Sequence, residues 1–170
     1  MTVTLLRHGR AEYDVVDRFV GHGRDLAPLT PEGNADAERA AAALAGTPPD
    51  LILASPMTRA LQTAMIVGRR VDRAVVVELD LHEWMPDSTQ RWHGPTIPLA
   101  AYAEMGAAGG DWPAGTTAAW EPLSSVRARA KAAIDRHRDR GHLLVVCHSV
   151  VIEALTGVAG CRHGDTVPLA

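Results

Sequence analysis

Residues 5–14 read LLRHGRAEYD, a stretch in which an apolar run ends on an arginine and a histidine. Residues 2–7 have the length and apolar content of a short buried strand. Arg7 and His8 therefore end that strand, and Gly9 follows them, where the backbone can approach other groups closely. A solvated loop does not need this order of residues, whereas a site that holds an anion against a histidine does.

Short apolar strands and helices alternate along the chain outward from this stretch. Further strands are predicted at residues 50–55, 74–79 and 142–147. Helices are predicted from Thr30 to Gly46, from Ser55 to Gly68, from Ser124 to Gly141 and from Ser149 to Gly157, with Thr30, Ser55 and Ser149 as N-caps and Pro31 and Pro56 at first helical positions. The alternation predicts an α/β fold around a mainly parallel central sheet.

The composition is that of an ordinary globular protein. The 170 residues fit a single domain, 1–170, with 46% hydrophobic and 22% charged residues. The net charge of −3 gives no reason to expect nucleic-acid binding. The N-terminus lacks the pattern of a signal peptide, and no apolar run reaches the length of a membrane span. We therefore expect a cytoplasmic protein, with Cys147 as a small core residue.

Side chains suited to phosphoryl chemistry follow the predicted strands at one edge of the sheet. Arg7 and His8 end the first strand, His148 ends the fourth, and Arg59 lies in the first turn of the helix after the second. The arginines offer planar forks to phosphate oxygens, a protonated His148 adds a donor, and a ring nitrogen of His8 can attack phosphorus. Glu83 follows the third strand and is the candidate acid for the departing oxygen.

Five motifs occur in the order in which the histidine phosphatase superfamily carries them, and the chain resembles that family, which includes the cofactor-dependent phosphoglycerate mutases. The motifs are LLRHG at 5–9, GRDLAPLTPEG at 23–33, ASPMTRALQTA at 54–64, LHE at 81–83 and VVCHSVVIEALTG at 145–157. The segment WEPLSSVRARAKAAI, residues 120–134, is more loosely similar to the family's Gly-Glu-Ser helix start, with Trp120 in place of the glycine.

The resemblance implies the family's three-layer α/β/α fold, with residues 165–170 as a short version of its last strand. It implies that His8 accepts the phosphate, and that Glu83 donates a proton and then activates water. Phosphate is held by Arg7, Arg59 and His148, and no metal or other cofactor is implied. Further candidates for substrate binding are Arg10, Asp14, Arg18, Arg24 and Ser149.

Asp14 departs from the family's pattern, because it occupies the place of an asparagine whose amide can donate to phosphate. A carboxylate in that place would repel phosphate. Either Asp14 points away and pairs with Arg10, or the substrate brings a cation. Ser149 likewise replaces a common glycine.

The aromatic residues lie outside the predicted strands and helices. Trp84, Trp92, Tyr102, Trp112 and Trp120 fall in an irregular, lid-like segment at about residues 84–123, and Tyr13 and Phe19 fall in the loop after Arg-His-Gly. They form either a satellite core under a long excursion or an aromatic wall beside the phosphate site, and we expect a mixture of the two. A wall would favour a phosphorylated metabolite with an apolar or aromatic group.

These features favour a metal-independent phosphatase that hydrolyses a small phosphate monoester through a phosphohistidine. A phosphoglycerate mutase-type phosphotransferase must bind a second anionic group, which the apolar excursion does not favour. A protein phosphohistidine phosphatase needs an open, shallow site, which the excursion at residues 84–120 does not favour. A non-catalytic phospholigand-binding member has no use for an acid beside a nucleophile. The remaining histidines, including His163, have no ligand spacing and are interpreted as ordinary residues.

Overall fold

The computed structural model describes residues 2–15, 21–89 and 96–170, and a five-stranded sheet lies at its centre. The strands are β1 (Thr2–Arg7), β2 (Leu51–Ala54), β3 (Val75–Val77), β4 (His142–Cys147) and β5 (Thr166–Leu169). Their order is β3-β2-β4-β1-β5; β1 to β4 are parallel, and β5 runs antiparallel to β1. The mainly parallel sheet and the short last strand are confirmed.

Helices cover both faces of this sheet and complete the predicted three layers. They are α1 (Pro31–Leu44), α2 (Thr58–Val71), α3 (Thr96–Ala107), α4 (Leu123–Asp135) and α5 (Ser149–Thr156). Neighbouring residues of β1 point to opposite faces, so Leu6 packs with α1 and α2 while Leu5 packs with α3, α4 and α5. Cys147 is fully buried in the apolar cluster that contains Leu5, as predicted.

The start of α1 agrees with the sequence, because the Thr30 hydroxyl accepts a hydrogen bond from the Gly33 amide at 3.0 Å. The predicted cap of α2 is wrong: its N-cap is Met57, and Ser55 lies before the helix. Gly68 does not end α2 either. Gly68 lies inside the helix, where α2 passes close to β3: a Cβ atom on Gly68 would lie 3.1 Å from the Val75 side chain.

Two other helix ends differ from the expectation. The N-cap of α5 is His148, and Ser149 is its first helical residue. The helix predicted to reach Gly141 ends at Asp135, and the residues after it turn toward the end of β3. His137 meets the Glu78 carboxylate at 2.6 Å, which fixes that turn.

The lid-like segment predicted as irregular contains α3, a helix of 12 residues. Pro98 falls in its first turn, where a missing amide costs little, and alanines follow it. Since Tyr102 lies on α3, the statement that the aromatic residues avoid helices is wrong for Tyr102. Trp92 and Phe19 lie outside the described residues.

No helix in the described part of the chain has both the length and the apolar content needed to cross a bilayer. Within residues 2–15, 21–89 and 96–170, no group of three or more His, Cys, Asp or Glu side chains is arranged to hold a metal ion.

Candidate active site

The carboxyl ends of β1, β2 and β4 bring together the predicted phosphate-handling residues. His8 follows β1, His148 follows β4, and their ring centroids are 5.0 Å apart. Arg59 is the second residue of α2, the helix that follows β2, and its Nε donates to Nε2 of His8 at 3.1 Å. His8, Arg59 and His148 are almost completely buried.

One nitrogen of His8 is available as a nucleophile. Nδ1 lies 2.7 Å from the Gly9 carbonyl, and because a carbonyl can only accept, Nδ1 carries the proton. Nε2 therefore carries the lone pair, which accepts the hydrogen bond from Nε of Arg59. Burial, and secondly the charge of Arg59, lower the pKa of His8 well below its ordinary value of 6.5, which keeps the ring neutral near pH 7.

Gly9 allows the loop after β1 to pass against the first turn of α1. A Cβ atom on Gly9 would lie 2.1 Å from the Gly33 carbonyl oxygen, and one on Gly33 would lie 1.9 Å from the Arg10 carbonyl oxygen. The Gly9 amide donates to Thr63 on α2 at 3.1 Å. The glycine is therefore required for backbone packing that fixes the position of His8.

Two buried donors near His8, Nε of Arg7 and Nδ1 of His148, have no hydrogen-bond partner within the described residues. The Nε2 atom of His148 lies 2.7 Å from the hydroxyl of Ser55, which can donate to it and leave the proton on Nδ1. Arg7 also donates through Nη1 to the Cys161 carbonyl. Unpartnered buried donors of this kind are costly unless an anion binds to them.

Glu83 lines a cavity together with Arg59. Its Oε1 accepts the Trp84 amide at 2.8 Å, and the Val150 amide in the first turn of α5 is also directed at the carboxyl group. Burial raises the pKa of Glu83 above its ordinary value of 4.5, with Arg59 and Arg7 acting in the opposite direction. The group can hold a proton at higher pH than an exposed glutamate.

Arg129 on α4 holds the turn that carries Glu83. Its guanidinium donates to the carbonyl of Asp80 at 2.6 Å, of His82 at 2.8 Å and of Glu83 at 3.3 Å. The same group pairs with both carboxylate oxygens of the buried Glu121, at 2.7 and 3.0 Å. Glu121 and Arg129 belong to the segment 120–134, which is loosely similar to the family's Gly-Glu-Ser helix start. The sequence did not reveal that this segment supports Glu83.

Replacement of Arg129 by lysine is expected to damage both stability and turnover, because an ammonium group cannot reach all these acceptors at once. We expect a loss of about 1–3 kcal/mol in the free energy of unfolding. We also expect a roughly tenfold lower kcat on alkyl phosphates, since Glu83 loses its fixed position. Denaturant unfolding and steady-state kinetics would measure both. The control is Arg127→Lys, two residues earlier on the same helix, where the side chain donates to the Ala154 carbonyl and not to the turn that carries Glu83. A normal kcat in Arg129→Lys would contradict the positioning role.

The remaining candidates for substrate binding have different outcomes. Asp14 does not pair with Arg10 as one alternative supposed; its carboxylate accepts the Ala11 amide at 3.2 Å and lies 3.7 Å from Nε2 of His163. Arg10 is exposed, and its amide donates to Asp36 at 3.2 Å. Ser149 is half-buried at the start of α5. Arg18 lies outside the described residues.

His163 was interpreted as an ordinary histidine, but its ring centroid lies 5.4 Å from that of His8. The loop between α5 and β5 brings it to the site, and its spacing from the other motifs gives no local signal of this. His163 lies near Asp14, the residue that departs from the family's pattern. That contact depends on the folded loop, so the sequence could not reveal it.

The cavity that Arg59 and Glu83 line has a volume of about 320 Å³. His8 is not part of its lining, and Arg59, which donates to Nε2 of His8, connects the two. Its lining is mainly apolar, with a few charged groups, and comprises Tyr13, Arg24, Asp25, Met57, Arg59, His82, Glu83, Trp84, Met85, Pro86, Asp87, Pro98 and Val150. Among the tryptophans of the described residues, Trp84 lines this cavity. Trp112 and Trp120 pack against each other, with centroids 6.3 Å apart. Trp120 is buried in the same core cluster as Trp84, and the half-buried Trp112 packs against that cluster.

Comparisons with known proteins find one family. The model of the histidine phosphatase superfamily (branch 1) matches residues 3–166. Adenosylcobalamin/alpha-ribazole phosphatase of Salmonella typhimurium is 28% identical over 164 residues, which cover 91% of this chain and 77% of that enzyme. Glucosyl-3-phosphoglycerate phosphatase of Mycolicibacterium vanbaalenii is 38% identical over 82 residues, 48% of this chain, and the match spans only 35% of that relative's length.

Among solved structures, a mycobacterial glucosyl-3-phosphoglycerate phosphatase determined with VO3 superposes with a TM-score of 0.76 at 25% identity. The superposition covers 99% of this chain and 90% of that chain.

Proposed function

The chain belongs to the histidine phosphatase superfamily, and on that basis we propose that it is a phosphatase that hydrolyses small phosphate monoesters through a covalent phosphohistidine on His8. The observation that carries the proposal is the neutral His8 ring with its Nε2 lone pair directed into a group of cationic and unpartnered donors. The names of the related phosphatases support the reaction class.

In the first step, Nε2 of His8 attacks phosphorus, and the bond from phosphorus to the ester oxygen breaks. Arg7, Arg59 and the Nδ1 proton of His148 bind the phosphoryl oxygens, where negative charge is concentrated. The protonated carboxyl group of Glu83 transfers its proton to the departing alkoxide. The products are an alcohol, the phosphohistidine and the Glu83 carboxylate.

In the second step, the Glu83 carboxylate takes a proton from a water molecule, whose oxygen attacks phosphorus. The bond between phosphorus and Nε2 breaks, and inorganic phosphate leaves. The lone pair returns to Nε2, the proton on Nδ1 is retained throughout, and Glu83 is again protonated. Every proton and electron pair is accounted for by side chains of the site and by water, so the step requires no metal ion.

The shape of the site supports an ester with an organic group beyond the phosphate. A cavity of about 320 Å³ adjoins Arg59 and Glu83, and Met57, Trp84 and Pro98 contribute to its apolar lining. Such a cavity can exclude water from an apolar or aromatic group. We therefore propose phosphorylated metabolites with an apolar moiety as substrates.

A panel of phosphorylated metabolites and aryl phosphates, ranked by kcat/KM, tests the proposed function. Turnover is expected to persist in excess EDTA. Loss of turnover in EDTA that a divalent cation restores would contradict the mechanism, and absence of phosphate release from every ester would contradict the function.

Truncation of Trp84 to alanine is expected to lower kcat/KM for bulky aryl phosphates by about tenfold, because up to about 1–3 kcal/mol of apolar contact is lost. Small esters such as methyl phosphate should be affected much less. Trp112→Ala is the matched control, since Trp112 packs against the core without lining the cavity, and its loss should lower Tm and reduce activity on all esters alike. Trp84 is itself buried in that core, so Trp84→Ala should lower Tm as well, and the difference between large and small esters is the readout specific to the cavity. Equal losses on large and small esters in Trp84→Ala would contradict the role of Trp84 as a pocket wall.

A further inference from the structure

Asp14 and His163 place opposite potential charges beside the phosphate site. The Oδ2 atom of Asp14 lies 3.7 Å from Nε2 of His163, which is too long for a hydrogen bond but within the range of an ion pair. Both side chains are largely sheltered, with 26% and 23% of their surfaces exposed. Their electrostatic interaction is therefore less screened by solvent than that of a surface pair.

The His163 ring lies beside the nucleophile. Its ring is 5.4 Å from that of His8, and its Nε2 is buried without a hydrogen-bond partner within the described residues. The backbone next to it is tied to β1, because the Gly164 amide donates to the Arg7 carbonyl at 3.0 Å. An unpartnered ring nitrogen fixed beside the nucleophile indicates a ligand that it can bind.

We propose that His163 is a further phosphate-binding residue, which binds the oxyanion as an imidazolium while Asp14 supplies its counter-charge. This inference rests on the proposed function. A carboxylate alone would repel the phosphate, as the sequence suggested for Asp14. Paired with an imidazolium, it contributes no net charge, and the imidazolium still presents an N–H donor to the oxyanion. The pair thereby replaces a single neutral amide donor.

Binding of a dianion should therefore bring a proton into the site. The charged and titratable groups that face His163 are Arg7, Arg10, Asp14, Asp36 and His8. In the empty site, burial and then Arg7 lower the pKa of His163, so the ring is mostly neutral at pH 7. A bound phosphate adds negative charge beside it and raises that pKa, so the ring takes up a proton from solvent.

A double-mutant cycle on the binding of inorganic phosphate tests the pair. His163→Asn alone leaves the Asp14 carboxylate uncompensated and should weaken phosphate binding at pH 7 by at least about tenfold. Asp14→Asn alone retains an acceptor for the Ala11 amide and should bind phosphate as tightly as the wild type or more tightly. The double variant should recover to within about threefold of the wild type.

Titration calorimetry in two buffers of different ionisation enthalpy provides the second readout. The wild type should take up more protons per bound phosphate than His163→Asn. His142→Asn is the matched control. His142 begins β4, at the end of the strand away from the site, so this variant should bind phosphate normally.

Absence of recovery in the double variant would overturn the pairing, even where the wild type binds phosphate and hydrolyses esters. Unchanged phosphate affinity in His163→Asn would also overturn it. A wild type that does not bind phosphate at all would overturn both the pairing and the phosphate site. Normal binding with no phosphohistidine would contradict the proposed function and leave the pairing supported.

Discussion

Replacement of His8 by alanine is expected to lower kcat by at least about 10³-fold, the range of losses seen when an enzyme loses its nucleophile. The physical reason is that the substitution removes Nε2, the atom proposed to form the covalent intermediate, which Arg59 approaches at 3.1 Å. KM is expected to change far less, because Arg7, Arg59 and His148 still bind phosphate. Steady-state kinetics on an aryl phosphate would measure the loss.

The control for His8→Ala is His142→Gln, which removes an imidazole from the far end of β4. It should keep wild-type turnover. Far-ultraviolet circular dichroism and Tm distinguish loss of the nucleophile from loss of the fold. A folded His8→Ala enzyme with kcat within tenfold of the wild type would contradict the covalent mechanism.

Glu83→Gln is expected to slow alkyl phosphates by about 10²–10⁴-fold, the usual contribution of a positioned acid. Aryl phosphates should lose much less in the first step, because their oxygen departs without a proton. The measurement is the ratio of kcat/KM for matched alkyl and aryl esters in the variant and in the wild type. Glu153→Gln, on α5 outside the cavity, is the control. Equal losses on both ester types would indicate that Glu83 positions the substrate and does not donate a proton.

The same assignment fixes the direction of the pH dependence. Because burial raises the pKa of Glu83, the donor is present at low pH and is lost as the pH rises through that raised value. Because burial lowers the pKa of His8, the nucleophile is lost only as the pH falls well below 6.5. On alkyl esters, kcat/KM should therefore decrease toward alkaline pH, and Glu83→Gln should lack that decrease.

The fold was predictable from the sequence because its signals are local and strong. Apolar runs placed four of the strands, and the Thr30 cap with Pro31 placed the start of α1. The errors have physical causes. Ser55 resembles an N-cap, but its hydroxyl is used by His148, a residue 93 positions away. Pro98 and the surrounding aromatic residues made the segment of α3 look irregular in the sequence. Contacts of α3 with the core stabilise this helix.

The site was predictable only as far as strand direction extends. Arg7, His8 and His148 are fixed at one sheet edge by the parallel strands, and the structure brings them together. The contact of His163 with this group depends on the path of the loop before β5, and the role of Arg129 depends on carbonyl groups 46 to 49 residues away. Such contacts are determined by tertiary packing and leave no spacing pattern in the chain.

The covalent phosphohistidine is the central claim, and trapping it is the most direct test. Wild-type enzyme would be mixed rapidly with an aryl ester carrying radiolabelled phosphate, chosen so that the first step is fast, and quenched in alkali, since phosphohistidine is stable there and labile in acid. The account predicts label on the peptide that contains His8, and none in His8→Ala. Full turnover with no label on the protein at any quench time, or label on a peptide that lacks His8, would contradict it.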